Sequence, residues 1–246
     1  MDVLLLRLEA PLMSFGAVMI DKRGVIQRYP ALSAVCGLLA NALGFHHRDT
    51  DALERLQQRL RYACREDRRG ERLRDYQTAD LGQDFLDDSR AWTTRGKLEE
   101  RGKSKNSKGT TIRLRDYWAD GASTLALALE PPGEPPTLDD LERALEKPER
   151  PLFIGRKCCL PASRLLLGRG EAEDLLDALR RAPLAEGVRE EGRFAAWWPV
   201  SPGARVEGAF TRPVTDGRDW ANQIHVGERW IAAGRITVNS QEVSDD

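Results

Sequence analysis

The fold turns on "TTIRLRDYWADGASTLALALE", Thr110 to Glu130. Two strand-like arms, "TTIRLRDYWA" and "STLALALE", flank Asp120-Gly121, a dipeptide suited to a tight two-residue turn. The stretch therefore predicts a β-hairpin. Working outward, the residues just before it are unusually basic. Arg95 to Arg115, "RGKLEERGKSKNSKGTTIRLR", holds eight Lys or Arg against two Glu, a net +6 in a chain of formal net charge −1. Nothing in "KSKNSKG" can form a core. Composition alone leaves an idle polar loop and a polyanion-seeking arm equally open. The position between strand-like arms favours the arm. Ten extended residues span about 33 Å at about 3.3 Å each, enough to pass several phosphates, each adding a salt-sensitive contact.

The 246 residues, 41% of them hydrophobic, are enough for one large domain or two small ones. The charged fraction, 31%, is high, but the two signs nearly cancel. Any nucleic-acid binding must then come from a local basic surface. The opening "MDVLLLRLEAPLMSFG" is too short and too interrupted by charge for a signal peptide. No run reaches about 18 apolar residues, so no membrane span is expected. Cys36, Cys64, Cys158 and Cys159 include no Cys-x-x-Cys pair, a poor disulfide or zinc framework that suits a reduced, cytoplasmic setting.

Along the chain, Val3 to Ala10 reads as a buried strand, and "SAVCGLLANALG" as a helix with Ser33 as N-cap and Gly44 as its stop. Gly37 and Ala40 would let that helix approach a sheet. "DTDALERLQQRL" predicts a second helix, capped by Asp49 or Asp51. "RLRYACRE" and "RRGERLRDYQT" read as the two arms of a hairpin. "TLDDLERALEKP" carries a capping box, Thr137 with Asp140. "SRLLLG" is strand-like, "EAEDLLDALRRA" helical, and "HVGERWIAAGRI" strand-like again. The order predicts an α+β fold with a ferredoxin-like sheet and its helices on one face.

Catalytic constellations are sparse. His46, His47 and His225 form no His-x-x-x-His or His-Glu-x-x-His pattern. Asp87-Asp88 and Asp139-Asp140 are each adjacent in sequence, unlike carboxylates set across a cleft. "FIGRKCCLP", Phe153 to Pro161, places Arg156 and Lys157 beside Gly155, where a backbone can approach a ligand closely. A phosphate-bearing chain suits such a loop, and so does a plain turn with two exposed cations. For Tyr76, Tyr117 and Trp118, core packing is expected ahead of stacking on a base.

Several segments taken in order resemble one family. They are "LLLRLEAPLMSFG", "RYPALSAVCGLLANALG", "HRDTDALERL", "LRDYQT", "RLRDYWADGASTLALALEP", "LERALEKPERPLFIGRKCCLP" and "LLLG", with a looser match around "ERWIAAGRI". The chain resembles the CasD subunits of type I-E CRISPR Cascade, the fifth Cas family in the RAMP superfamily. The resemblance implies a RAMP body with a ferredoxin-like (RRM-like) core and a projecting β-hairpin thumb. It implies one domain over 1–238, with a thumb insertion at about 80–115 and a looser part at about 169–238. A disordered tail at 239–246 is expected from its composition.

Functionally, the resemblance implies a non-catalytic subunit that binds CRISPR RNA. Such a subunit holds the 5′ handle, contacts the backbone subunit CasC and the large subunit CasA, and meets target DNA only through the complex. No membrane, metal or cofactor is implied. The RNA-binding candidates are Lys22, Arg23, Arg28 and Ser33 near the first helix. Arg95, Lys97, Lys103, Lys105, Lys108, Arg113 and Arg115 fall in the thumb. Gly155, Arg156 and Lys157 match the family's Gly-Arg-Arg/Lys-x-Cys loop. Ala31-Leu32 stand where relatives carry Thr-Arg, and Gln77 where many carry His, so the handle contacts of those groups are not implied here. Two other readings stay open: a metal-independent endoribonuclease using Tyr29 and Lys157, and an unrelated RRM-like RNA-binding protein.

Overall fold

Residues Thr110–Leu129 form one continuous strand of 20 residues, not a hairpin. The protein's structure is a computed structural model and describes residues 1–17, 23–80, 90–92, 98–100, 110–189 and 192–238. The type I′ turn that an Asp-Gly pair favours needs a left-handed φ at both residues. Asp120 has one (φ 54°) and Gly121 does not. The second expected hairpin, with arms in Arg59 to Thr78, does not form either. Leu60–Arg68 and Glu71–Asp80 do not pair with each other; both run antiparallel to Thr110–Leu129, one after the other. The two predicted hairpins are therefore one ribbon, kinked where Gly70 meets Ala119 to Gly121. Gly70 has φ +71°, and a Cβ there would lie 2.5 Å from the Ala119 carbonyl oxygen and 2.9 Å from the Gly121 nitrogen. Only glycine fits both the angle and the approach.

In chain order the elements are β1 (Asp2–Met13), β2 (Arg23–Gly24), α1 (Leu32–Ala42), α2 (Thr50–Arg59), β3 (Leu60–Arg68), β4 (Glu71–Asp80), β5 (Arg90–Trp92), β6 (Leu98–Glu100) and β7 (Thr110–Leu129). There follow α3 (Leu138–Glu146), β8 (Leu166–Glu171), α4 (Leu175–Arg181), β9 (Arg193–Pro199), β10 (Ala209–Val214), β11 (Gly217–Asp219), β12 (Ile224–Val226) and β13 (Arg229–Thr237). The main sheet runs β10-β13-β9-β3-β7-β1-β8. Its segment β3-β7-β1-β8, with antiparallel neighbours and helical crossovers β1-α1-α2-β3 and β7-α3-β8, is the ferredoxin-like core. β9, β13 and β10 extend that sheet beyond β3.

The strands alternate large and small side chains between the two faces. Leu125, Leu127 and Leu129 of β7 join Leu4, Leu6, Tyr62 and Cys64 under α1, α2 and α3. Ala126 and Ala128 face the other way, with Val3 and Ala63, and there they meet Leu175, Ala178 and Leu179 of α4. Helices thus cover both faces, not one as expected. Alanines on the second face leave room for α4 to lie close. They also leave room for a polar cluster: Arg65 and Asp67, whose side chains are fully buried, with Thr124 and Arg7. The Asp67 carboxylate accepts from Arg65 Nε at 2.6 Å, Thr124 Oγ1 at 2.7 Å and the Ala185 amide at 3.1 Å. Arg65 in turn donates to the carbonyls of Leu179, Ala182 (2.9 Å) and Pro183 (2.8 Å), capping the C-terminal end of α4.

The helix starts are mixed. The Thr137–Asp140 capping box forms as expected. Gly44 ends its helix at φ +82°. Ser33 is not the N-cap of α1; it lies inside the helix, buried, and the N-cap position is Ala31. The first amides are taken instead by Asp216, 184 residues from Leu32 in sequence: its carboxylate accepts from Leu32 N at 3.1 Å and its carbonyl from Ser33 N at 3.0 Å. Gly37 faces Trp220, 3.7 Å from a built Cβ, rather than the sheet. No described helix is long and apolar enough to cross a membrane.

Gly70→Ala tests the kink. It should lower stability by about 1–3 kcal/mol, the scale of a strained left-handed residue plus a steric shift, read as a drop in the urea midpoint. An unchanged midpoint would mean the ribbon bends without needing glycine.

Candidate nucleic-acid interface

Beyond the kink, β4 and the first half of β7 run on as a ribbon past the end of β3, with the short β2 on the other edge of β7 at Leu114 and Arg115. Opposed residues point to the same side. Gln77 opposes Arg113, Asp75 opposes Arg115, Tyr76 opposes Leu114 and Arg74 opposes Asp116. One ribbon face therefore carries Arg113 and Arg115, both exposed, with Asp75 and Gln77. Gln77 donates to Asp75 Oδ2 at 2.5 Å, so an amide and a carboxylate joined to each other stand opposite the two arginines. The other face carries Arg72, Arg74 and Tyr76. Asp116, whose side chain is 3% exposed, accepts from Arg74 Nε at 2.8 Å and from Arg72. Hydrogen bonds from Arg74, then Arg72, hold its carboxyl down at about 2.

The loop 154–159 docks at the root of the ribbon. Gly155 (φ +95°) approaches the protein's own backbone: a Cβ there would overlap the Ser14 carbonyl. Its close approach is thus used for packing β1 against the loop, where Ser14 N donates to Ile154 O at 3.1 Å. Arg156 is also committed. It donates to the carbonyls of Asp116 (2.9 Å) and Gly24 (3.3 Å), with its guanidinium 4.6 Å from the Tyr117 ring centre. It staples the loop, β2 and β7 together. Lys157 and Arg23 are exposed, and Arg23 stands beside Leu114 in the parallel β2–β7 pairing. Exposed cations thus surround a root that Gly155 and Arg156 build.

Arg28 and Tyr29 sit on the helix-side face of the sheet. Arg28 donates to Glu66, Nε to Oε1 at 2.9 Å, and lies 5.3 Å from the Trp197 ring centre. Tyr29 is buried and stacks on Trp197 at 5.2 Å between ring centres. Its hydroxyl accepts from Arg212 at 3.0 Å, and burial raises its pKa. A phenol held neutral in this way is a poor general base.

Tyr117 is buried, and Trp118 is half-buried and donates to Gln27 O at 2.8 Å, the packing roles expected of them. Tyr76 differs: it is 60% exposed, because its opposite partner Leu114 lies on the ribbon rather than over the core. Arg72, Arg74 and Asp216 were not singled out from the sequence. The "RLRD" alternation signals the two ribbon arginines; nothing local signals Asp216. Lys22, Arg95, Lys97, Lys103, Lys105 and Lys108 lie outside the described residues. Among the described residues, no group of three His, Cys, Asp or Glu could hold a metal.

Asp116 has a pH signature. Its folded pKa lies below its ordinary value of 3.8, so its contribution to stability is complete above about pH 4 and is lost as pH falls through about 2. Asp116→Asn should remove that part of the acid-unfolding profile while Arg72 and Arg74 stay charged. An identical acid profile in the variant would show that the pairing adds nothing to stability.

The family model described as "CRISPR-associated protein (Cas_Cas5)" matches residues 3–232. A curated relative, the "CRISPR system Cascade subunit CasD" of Escherichia coli (strain K12), is 30% identical over 184 residues, 72% of this chain and 75% of the relative. Among solved structures, a chain of a "CRISPR RNA-guided surveillance complex" is 26% identical with a TM-score of 0.67, covering 99% of this chain and 95% of that one. A "Cas protein" crystal structure is 25% identical with a TM-score of 0.64, covering 96% and 95%.

Proposed function

The chain belongs to the CRISPR-associated protein (Cas_Cas5) family, and from that premise we propose that it is the RNA-binding, CasD-type subunit of a type I-E Cascade surveillance complex. On this reading it holds the 5′ handle of the CRISPR RNA and caps the backbone, against CasC and the large subunit CasA, in antiviral defence. It meets target DNA only through the complex, in the cytoplasm.

The observation that carries the reading is the ribbon face bearing Arg113 and Arg115, which leads into the basic residues 95–108. This ribbon is the proposed thumb. Phosphates of an extended RNA would be neutralised along it, while splayed bases rest against the body. Arg23 and Lys157, exposed near the ribbon root, would extend the same positive track. Gly155 and Arg156 would act on RNA indirectly, by holding that root in shape.

The role proposed is binding without catalysis. Tyr29 lends this support: it is buried, hydrogen-bonded by Arg212 and raised in pKa by burial, unlike an activated base. Incubating the purified protein with repeat RNA in EDTA should leave the RNA intact. Site-specific cutting that disappears in Tyr29→Phe or Lys157→Ala would establish the endoribonuclease instead.

Purifying the tagged chain from its host should bring down guide RNA and several partner subunits. A chain recovered free of both would defeat the Cascade assignment. In the same material, Arg113→Gln with Arg115→Gln should reduce the slope of log affinity against log salt by about 0.7 for each phosphate no longer neutralised. An unchanged slope would mean the two arginines face solvent.

A further inference from the structure

We propose that the helix-side face of β9, β13 and β10 is a second nucleotide site, where an unpaired RNA base stacks on Phe210 and the flanking phosphates meet Arg235 and Arg28. This rests on the RNA-binding reading above, but it places a site in the C-terminal third of the chain, away from the ribbon.

The sheet register builds the site. Cys64, Trp197, Ala233 and Phe210 stand in one row across β3, β9, β13 and β10. Residues in such a row project to one side, so Phe210 shares a face with Trp197. Only the Ala233 methyl stands between them. At about 4.8 Å per strand, the two rings are roughly 10 Å apart with a shallow floor between. Trp197 is held from the core side by Tyr29, whereas Phe210 is 63% exposed. An exposed phenylalanine on a sheet face, beside a small residue, is the geometry on which sheet-based RNA modules stack bases.

Cations frame the same row. Two residues along, Glu66, Ala195 and Arg235 form the next row on this face. On the other side, Arg212 opposes Ile231. Arg28 reaches over Trp197 from the loop before α1 and engages Glu66. The Arg28 guanidinium is lowered in pKa first by burial, then by the positive charges of Arg69 and Arg235. Glu66 fixes Arg28 at the edge of the site, and Arg235, exposed in the same row, adds the second positive charge that a phosphodiester could meet. Exposed aromatic and arginine together fit a single-stranded nucleic acid better than a protein surface of ordinary composition.

The test uses the full chain and a fluorescent eight-nucleotide single-stranded RNA. Phe210→Ala should weaken binding about fivefold or more with unchanged thermal melting, since the ring is exposed. Arg235→Gln should lower the salt slope by about 0.7. Phe210→Ala with wild-type affinity, or Arg235→Gln with the wild-type slope, overturns the site. If Arg113→Gln and Arg115→Gln alone weaken binding, the thumb reading stands and this one fails. If Phe210→Ala spoils assembly with other subunits but not RNA affinity, the face belongs to a protein partner and the proposal is overturned. A wild-type chain that binds no RNA defeats both readings.

Discussion

A strand of 20 residues has two edges of backbone donors and acceptors to satisfy, and β7 obliges the rest of the molecule to supply them. On one edge it receives β1 and then β2; on the other, β3 and then β4. Each partner takes a part of its length, so the same strand serves as a central strand of the ferredoxin-like core and as one arm of the ribbon. The kink at Gly70 and Asp120 marks the handover.

The same strand also decides where polar groups can be buried. Its leucines fill the helix side and its alanines leave the opposite side shallow. That shallow side accepts α4 together with Arg65 and Asp67, a buried pair with its hydrogen bonds supplied by Thr124, Ala185 and the end of α4. The Asp67 bulge, where the β3–β7 register shifts, lies just before Gly70. One short segment, Asp67 to Gly70, therefore both anchors the second face and starts the ribbon.

The interface collects residues that are far apart in sequence. Arg156 reaches back to β2 and β7. Asp216 caps α1 from the C-terminal third and is gripped by Arg229 Nε at 2.7 Å. Two of the groups read from sequence as ligand-facing, Gly155 and Arg156, are engaged with the protein itself. A glycine permits close approach without saying to what, and an arginine beside it finds carbonyls as readily as phosphates. Arg113 and Arg115 are exposed, and so is Tyr76, because its opposite partner sits on the ribbon.

Local signals in the sequence determined some of the elements. The apolar run of β1, the capping box of α3 and the glycine stop of α1 depend on interactions within a few residues, and each is written in the residues concerned. The ordered segments also carried the family. Tertiary structure alone decided whether Asp120-Gly121 reverses the chain or bends it, because that depends on Gly70, about fifty residues away. It also decided that Asp216, not Ser33, caps α1, and that Phe210 stands in line with Trp197. A strand's partners are chosen across the sheet, and no local pattern can name a residue on the other side.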